Sequence, residues 1–199
     1  MLIEKIEEMP AVWIYKNYFD VGNFIEKFEE QAQQPWPYLD WKRSITGDGG
    51  DYGTQESEHR SSLEAPLSPL LQDEVVEDIK EISDSYKKIF LSIDQCIWDY
   101  RKSYDLFLRG ADGMQLLKYE NNAQYHAHHD HSSENQRVLS LVACFGEDFE
   151  GGELEFPYFN KTIKLEKNSL VLFPSNFPYT HIAHPVTNGI KYSMVMWFI

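Results

Sequence analysis

The sequence predicts a mainly β protein with helices at its N-terminal end, an α+β chain whose second half is an antiparallel sandwich. Three observations lead there. After Tyr104 the chain breaks into short apolar runs, GMQLLKY, RVLSLVACF, GELEF, KTIKLE, SLVLFP and KYSMVMWFI, separated by turn residues, and many short strands at close spacing make a sandwich or a barrel. Before Tyr104 the apolar residues instead recur at intervals of three and four, the period of an amphipathic helix. Finally, 199 residues that are 42% hydrophobic and 15% aromatic are enough to bury one core without disulfides. The expectation is a single domain over 1–199, with 1–104 as a helical buttress and 105–199 as the β core.

In chain order, Ala11 to Tyr15 (AVWIY) reads as a first strand. Asp20 is placed to cap a helix carrying Phe24, Ile25 and Phe28, which ends before Pro35. From Trp36 to Leu63 the pattern dissolves into Gly, Ser, Asp and Pro, with TGDGGDYG in the middle, so about 36–63 is expected to be a long loop or a lid. Leu71 to Trp98 carries Val75, Ile79, Ile82, Tyr86, Ile89 and Ile93, a stripe that reads as one long helix packed on a sheet face.

Charge and cysteine content narrow the function classes. Eighteen basic against 32 acidic residues give a net charge of −14, which disfavours nucleic acid as a partner, because phosphate binding needs clustered Lys and Arg. Cys96 and Cys144 fit neither a zinc spacing nor a disulfide framework, and each sits in an apolar segment where a reduced, buried thiol is ordinary. MLIEKIEEMP lacks the basic and apolar regions of a secretory signal, and no apolar run reaches the roughly 20 residues that span a bilayer. No membrane association is expected, and the compartment is cytoplasm, or host cytoplasm for a phage-encoded chain.

The chemistry gathers around Y-E-N-N-A-Q-Y-H-A-H-H-D, Tyr119 to Asp130. On a strand, alternate side chains share a face, so His128 and Asp130 can reach one ion while His129 points away. A second imidazole from His181, in THIAHPVTNGIK, would complete two nitrogens and one carboxylate on one side of the ion with positions left open. That donor set suits non-haem Fe(II) that must also bind a co-substrate and O₂. Alone, H-x-D is a weak pattern, and a tract with histidines at 126, 128, 129 and 131 also reads as a polar loop. Lys191 adds weight: it follows His181 by ten residues and opens an apolar strand, where a lysine needs an anionic partner such as a dicarboxylate.

From Tyr119 to the C-terminus the chain resembles the Fe(II)/2-oxoglutarate-dependent dioxygenases, prolyl 4-hydroxylase branch. The resemblance rests on ordered blocks: Tyr119, Tyr125, His128 and Asp130; Gln136 to Val138; Gly151 to Leu154 with Phe156; Leu172 to Ser175; His181; Pro185, Val186, Gly189 and Lys191; and Trp197. It implies a double-stranded β-helix, a jelly-roll or cupin-like core buttressed by helices. His128, Asp130 and His181 would hold the iron, and Lys191 the distal carboxylate of 2-oxoglutarate, assisted by the Tyr119 hydroxyl. Tyr125, Arg137 and Trp197 would contact or orient a peptide substrate. The implied reaction hydroxylates a prolyl residue of a peptide or protein, consumes O₂, releases succinate and CO₂, and uses ascorbate as reductant. Two positions depart from the pattern: HSSENQ between Asp130 and Arg137 is short, and Leu154 stands where some members have threonine.

Other residues and readings stay beside this one. Arg60-Ser61 is the piece of the N-terminal half that aligns with the family. His126 lines the site at most, His129 and His131 face solvent or support the ligands, and His184 as the distal ligand would shorten the interval to Lys191 to seven. Oxidation of a free amino acid, another side chain or a small metabolite is the rival within enzymes, since the motifs fix the oxidant more firmly than the target. A cupin-like metal-binding or sensor module without turnover is the rival outside them.

Overall fold

The computed structural model of the chain describes residues 4–35, 38–44 and 60–199. It opens with a hairpin, β1 (Glu4–Met9) and β2 (Val12–Lys16), then helix α1 (Phe24–Ala32) and two short strands, β3 (Lys42–Arg43) and β4 (Leu63–Pro66). Helix α2 (Glu77–Ser103) leads into β5 (Ala111–Tyr119), β6 (Tyr125–His128), β7 (Leu139–Cys144), β8 (Phe149–Gly151) and β9 (Leu154–Phe156). The chain closes with β10 (Lys161–Ile163), β11 (Ser169–Pro174), β12 (His181–Ala183), β13 (Val186–Gly189) and β14 (Lys191–Phe198). Eight strands form an antiparallel sheet in the order β1-β2-β11-β7-β14-β5-β4-β3, and four form a second in the order β10-β9-β12-β6. β8 and β13 pair as a separate ribbon. Two stacked antiparallel sheets with helices on the outer face of the larger one are the expected double-stranded β-helix.

Alternation along four central strands explains both layers. Met114 and Leu116, Leu139, Leu141 and Ala143, Leu170 and Leu172, and Met194 and Met196 share a core with the helices. The residues between them face inward: Val171, Phe173 and Cys144 pack with Leu154, Phe156 and Ile163 of the smaller sheet, and Leu117, Tyr119, Val195 and Trp197 form a third cluster. Because side chains alternate with period 2, a sheet covered on both faces needs near-continuous apolar runs, which is why these strands are plain in the sequence.

The helices differ from expectation in their ends. Asp20 does not cap α1; its carboxylate accepts the Gly22 N–H in the preceding turn, and Asn23 stands at the cap position without a side-chain bond. The long helix runs from Glu77 to Ser103 rather than from Leu71 to Trp98, because Ser68–Leu71 coils into a separate 3-10 turn around Pro69. Its last turn carries Arg101 and Lys102, cations that favour a helix C-terminus. The N-terminal half is not purely a helical buttress, since β1 and β2 extend one edge of the large sheet and β3 and β4 the other. Of the expected loop or lid over 36–63, residues 36, 37 and 45–59 lie outside the described residues, and Lys42–Arg43 and part of the remainder are strand.

Cys96 and Cys144 are buried free thiols. Among the described residues no helix is long and apolar enough to cross a membrane. Ile93 of α2 is completely buried against the sheet, so Ile93→Ala should lower the unfolding free energy by about 2–5 kcal/mol. Urea titration followed by circular dichroism checks this, and an unchanged midpoint would mean that the helix is not integral to the core.

Candidate active site

One register sets the site. His181, the first residue of β12, pairs directly across from His128, the last residue of β6, and the two rings lie 4.2 Å apart, tilted by 58°. Asp130 is two residues past the end of β6, where its N–H donates to Ser175 O at 3.0 Å. It therefore joins His128 through a fixed turn rather than through strand alternation. His128 Nε2 is 3.6 Å from Asp130 Oδ1, and His181 Nε2 is 3.8 Å from Asp130 Oδ2. One ligand atom from each of the three lies within 4.8 Å of the others.

The surroundings prepare these groups as ligands. His128 Nδ1 faces His126 O at 2.7 Å and His181 Nδ1 faces Tyr179 O at 3.1 Å. A carbonyl can only accept, so both Nδ1 atoms carry the proton and both Nε2 lone pairs are free for an ion. Burial, followed by the neighbouring His181, pushes the His128 pKa well down, which keeps that ring neutral. Burial alone would raise the Asp130 pKa, but His181, His128 and hydrogen bonds from Ser140 and Trp197 hold it below the usual carboxylate value. The Ser140 hydroxyl lies 2.6 Å from Asp130 Oδ2 and 2.8 Å from Ser175 Oγ. Two imidazoles and one carboxylate, convergent from one side, fit a divalent cation with open coordination positions, as in non-haem Fe(II) sites.

The same cavity holds a second charged group. Lys191 opens β14 and is only 6% exposed; its ammonium donates to Gly152 O at 2.5 Å and lies 5.7 Å from the Tyr119 ring and 5.9 Å from that of Phe149. Among the described residues it has no salt bridge, and burial lowers its pKa. Two residues on, and so on the same face, Ser193 Oγ is buried without a hydrogen-bond partner and also lines the cavity. A desolvated ammonium beside an unused hydroxyl fits the carboxylate end of an anionic co-substrate such as 2-oxoglutarate. Gly152 makes room for the lysine: at φ +69° its backbone suits glycine, and a Cβ there would come within 2.9 Å of Lys191 Cδ.

Of the other predicted residues, Tyr119, Tyr125 and Trp197 line the cavity, while Arg137 does not and instead packs on Trp197. Tyr119 faces Lys191 with its ring, while its hydroxyl bonds Ser62 near Arg60; burial raises its pKa. Tyr125 stacks on His128, centroids 3.5 Å apart, and burial raises its pKa to about 12. Trp197 is buried and donates to Asp130. Arg137 lies 3.9 Å over the Trp197 ring and pairs with Asp112 at 2.8 Å. These contacts make Trp197 and Arg137 a brace behind the carboxylate, a role that neither residue's position in the sequence disclosed. Arg60 is buried against the Tyr125 ring at 5.1 Å and pairs with Glu64 at 3.4 Å.

Among the remaining histidines, His126 and His129 are exposed, His131 bonds Arg137 O at 2.9 Å, and His184 pairs with Glu155 at 2.6 Å, away from the triad. Ser140 and Ser193 were not singled out from sequence, and Gly152 and Ser175 entered only as members of the resembling blocks, without a role. The signal available for the serines was a hydroxyl inside or at the end of an otherwise apolar strand.

A jelly roll carrying two histidines and one carboxylate in a buried, lysine-containing cavity defines the class as a mononuclear metal oxygenase site. Residues 114–199 match the model of the 2OG-Fe(II) oxygenase superfamily. That segment includes the triad and Lys191 and is similar to this superfamily, and the fold has a prolyl 4-hydroxylase-like architecture. Fe(II) and 2-oxoglutarate are the cofactor and co-substrate that the family and the triad imply. The chain is 27% identical over 117 residues to the "Putative prolyl 4-hydroxylase" of Acanthamoeba polyphaga mimivirus; this covers 49% of the chain, and the chain spans about half of that relative, 48% of its length.

Solved structures share the fold at low identity. A Trichoplax adhaerens prolyl hydroxylase in complex with a hypoxia inducible factor oxygen degradation domain peptide fragment has a TM-score of 0.72 at 15% identity, covering 95% of this chain and 83% of that one. A Pseudomonas putida prolyl-4-hydroxylase gives 0.68 at 17%, covering 94% and 92%. The viral collagen prolyl hydroxylase of Paramecium Bursaria Chlorella virus-1, in its 2-oxoglutarate complex, gives 0.62 at 14%, covering 95% and 96%.

Trp197→Phe keeps a ring in place but removes the N–H donated to Asp130. Removing such an outer partner of a ligand weakens metal binding about 10- to 100-fold, so Fe(II) affinity, measured anaerobically against a competing chelator, should fall by at least about tenfold with the fold intact. Unchanged affinity would show that Ser140 alone fixes the carboxylate.

Proposed function

We propose that the chain is a prolyl hydroxylase of the 4-hydroxylase type, acting on a proline residue within a peptide or protein, with Fe(II) and 2-oxoglutarate, and with ascorbate as reductant. The observation that carries the oxygenase part is the buried Lys191 ammonium in the same cavity as the His128, Asp130 and His181 ligand atoms. The mimivirus relative and the prolyl hydroxylases of similar fold support the prolyl part. A cytoplasmic setting suits two reduced, buried thiols.

Bound iron and 2-oxoglutarate supply the oxygen chemistry, in which one atom of O₂ enters succinate and the other the substrate C–H bond, with CO₂ released. The chain supplies position and environment. His128, His181 and Asp130 would hold the ion from one side. Lys191 would neutralise the distal carboxylate of the co-substrate and Ser193 would donate to it, with the Tyr119 ring beside the ammonium. Leu117, Val142, Leu154 and Val195 form apolar walls that exclude water and keep the charged groups strongly coupled. Tyr125, held between the His128 ring and the Arg60 guanidinium, keeps an aromatic edge at the cavity wall for the prolyl ring.

Incubation with Fe(II), 2-oxoglutarate, ascorbate and proline-containing peptides should release succinate in step with a single-oxygen gain on proline, read by mass spectrometry. Oxidation of free proline or another small molecule alone would replace the peptide by a metabolite. Absence of succinate under every condition would leave a metal-binding module.

A further inference from the structure

A pair of exposed aromatic side chains stands at the end of the sandwich that carries the triad, and the metal chemistry does not use it. The loop 175–180 is tied at both ends to the ligands: Ser175 O accepts the Asp130 and His131 N–H groups, and Tyr179 O accepts from His181 Nδ1. Phe177, in the middle of this loop, is 67% exposed and packs edge-on against Tyr158, itself 64% exposed, with centroids 5.3 Å apart and planes at 75°. Tyr158 belongs to the 3-10 turn Pro157–Phe159 directly after β9, and Phe156, the last residue of β9, lies 5.9 Å from the His181 ring. Behind the pair, Phe159 and Tyr179 stack at 5.1 Å, and the Tyr179 hydroxyl donates to Pro10 O at 3.0 Å. The exposed rings thus project from a braced base.

Two large rings left in solvent contribute little to folding, and a clustered apolar patch beside a site marks a binding surface. Planes at 75° form a corner, in which the compact, rigid ring of a proline can set one face on one ring and its edge against the other. A proline-rich segment also arrives already extended as a polyproline II helix, so little entropy is lost when it docks on aromatic rings. The net charge of −14 favours a ligand with basic flanks. We infer that Tyr158 and Phe177 form a docking ledge for the proline-rich, extended segment that flanks the reacting residue. This rests on the prolyl peptide reading of the site, and it adds a residue-level determinant of which peptides are taken.

The test uses the full chain, loaded anaerobically with Fe(II) and 2-oxoglutarate, and a fluorescent peptide of eight prolines with two lysines at each end. The double variant Tyr158→Ala/Phe177→Ala should bind this peptide about tenfold more weakly than wild type. Trp98→Ala, which removes an aromatic that is 60% exposed on α2, should bind like wild type. In air, the slow consumption of 2-oxoglutarate without peptide should be the same in all three proteins.

Equal peptide affinity in wild type and the double variant overturns the ledge, as does failure of the wild type to bind the peptide. A concentration-dependent dimer that the double variant abolishes also overturns it, by assigning the rings to a second copy of the chain. Oxygen gain on prolyl peptides that the double variant matches in KM removes the ledge and leaves the prolyl reading standing. Ledge-dependent binding without oxygen gain on any prolyl peptide supports the ledge and removes that reading.

Discussion

The antiparallel pairing of β6 with β12, which sets His181 opposite His128, is the constraint on which the rest of the site depends. Cross-strand neighbours are held a few ångströms apart by the backbone, so the imidazoles meet without help from any flexible loop. Everything else refines that contact. The Asp130 backbone is hung from Ser175, its carboxylate from Ser140 and Trp197, and both imidazole tautomers are chosen by main-chain carbonyls. The cost of gathering two imidazoles and a carboxylate in one buried spot is met by these bonds, and an incoming cation completes the balance.

Lys191 extends the same principle to the co-substrate. A buried ammonium with one carbonyl acceptor is an unbalanced charge in a low-dielectric cavity. Such a group is stable only because the large sheet is covered by helices on one face and by the small sheet on the other, so local strain is carried by the whole core. Gly152 shows how closely the fold is fitted around it, since a single added carbon would displace the lysine stem. The sandwich thus places a metal-ligating triad and an anion-binding ammonium at neighbouring positions on its inner face.

How much of this was legible follows from burial. β5, β7, β11 and β14 were plain because both faces are covered, which forces continuous apolar runs, and the triad was legible because Lys191 and the ordered blocks around it gave weight to an H-x-D that is weak alone. The edges were not. β1 reads EKIEEM, and its charges, which protect an exposed edge from pairing, look like an acidic tail. β3 and β4 lie within a polar stretch, and β6 and β13 are too polar to show alternation. Helix ends shifted because a 3-10 turn around Pro69 continues the apolar spacing without being part of α2. Trp197 and Arg137 were visible as candidates, but their brace on Asp130 and Asp112 depends on residues far apart in sequence, which no local pattern carries.

If Lys191 is the anchor for the co-substrate carboxylate and the triad holds the metal independently, the two affinities should separate on substitution. Calorimetric titration of 2-oxoglutarate into the anaerobic Fe(II)-loaded protein measures this directly in wild type and in Lys191→Met, with Fe(II) affinity measured alongside. Loss of one partner of a buried charge pair costs about 3–5 kcal/mol. 2-Oxoglutarate should therefore bind the variant at least about 100-fold more weakly while Fe(II) affinity stays the same. Equal 2-oxoglutarate affinity in the two proteins would contradict it.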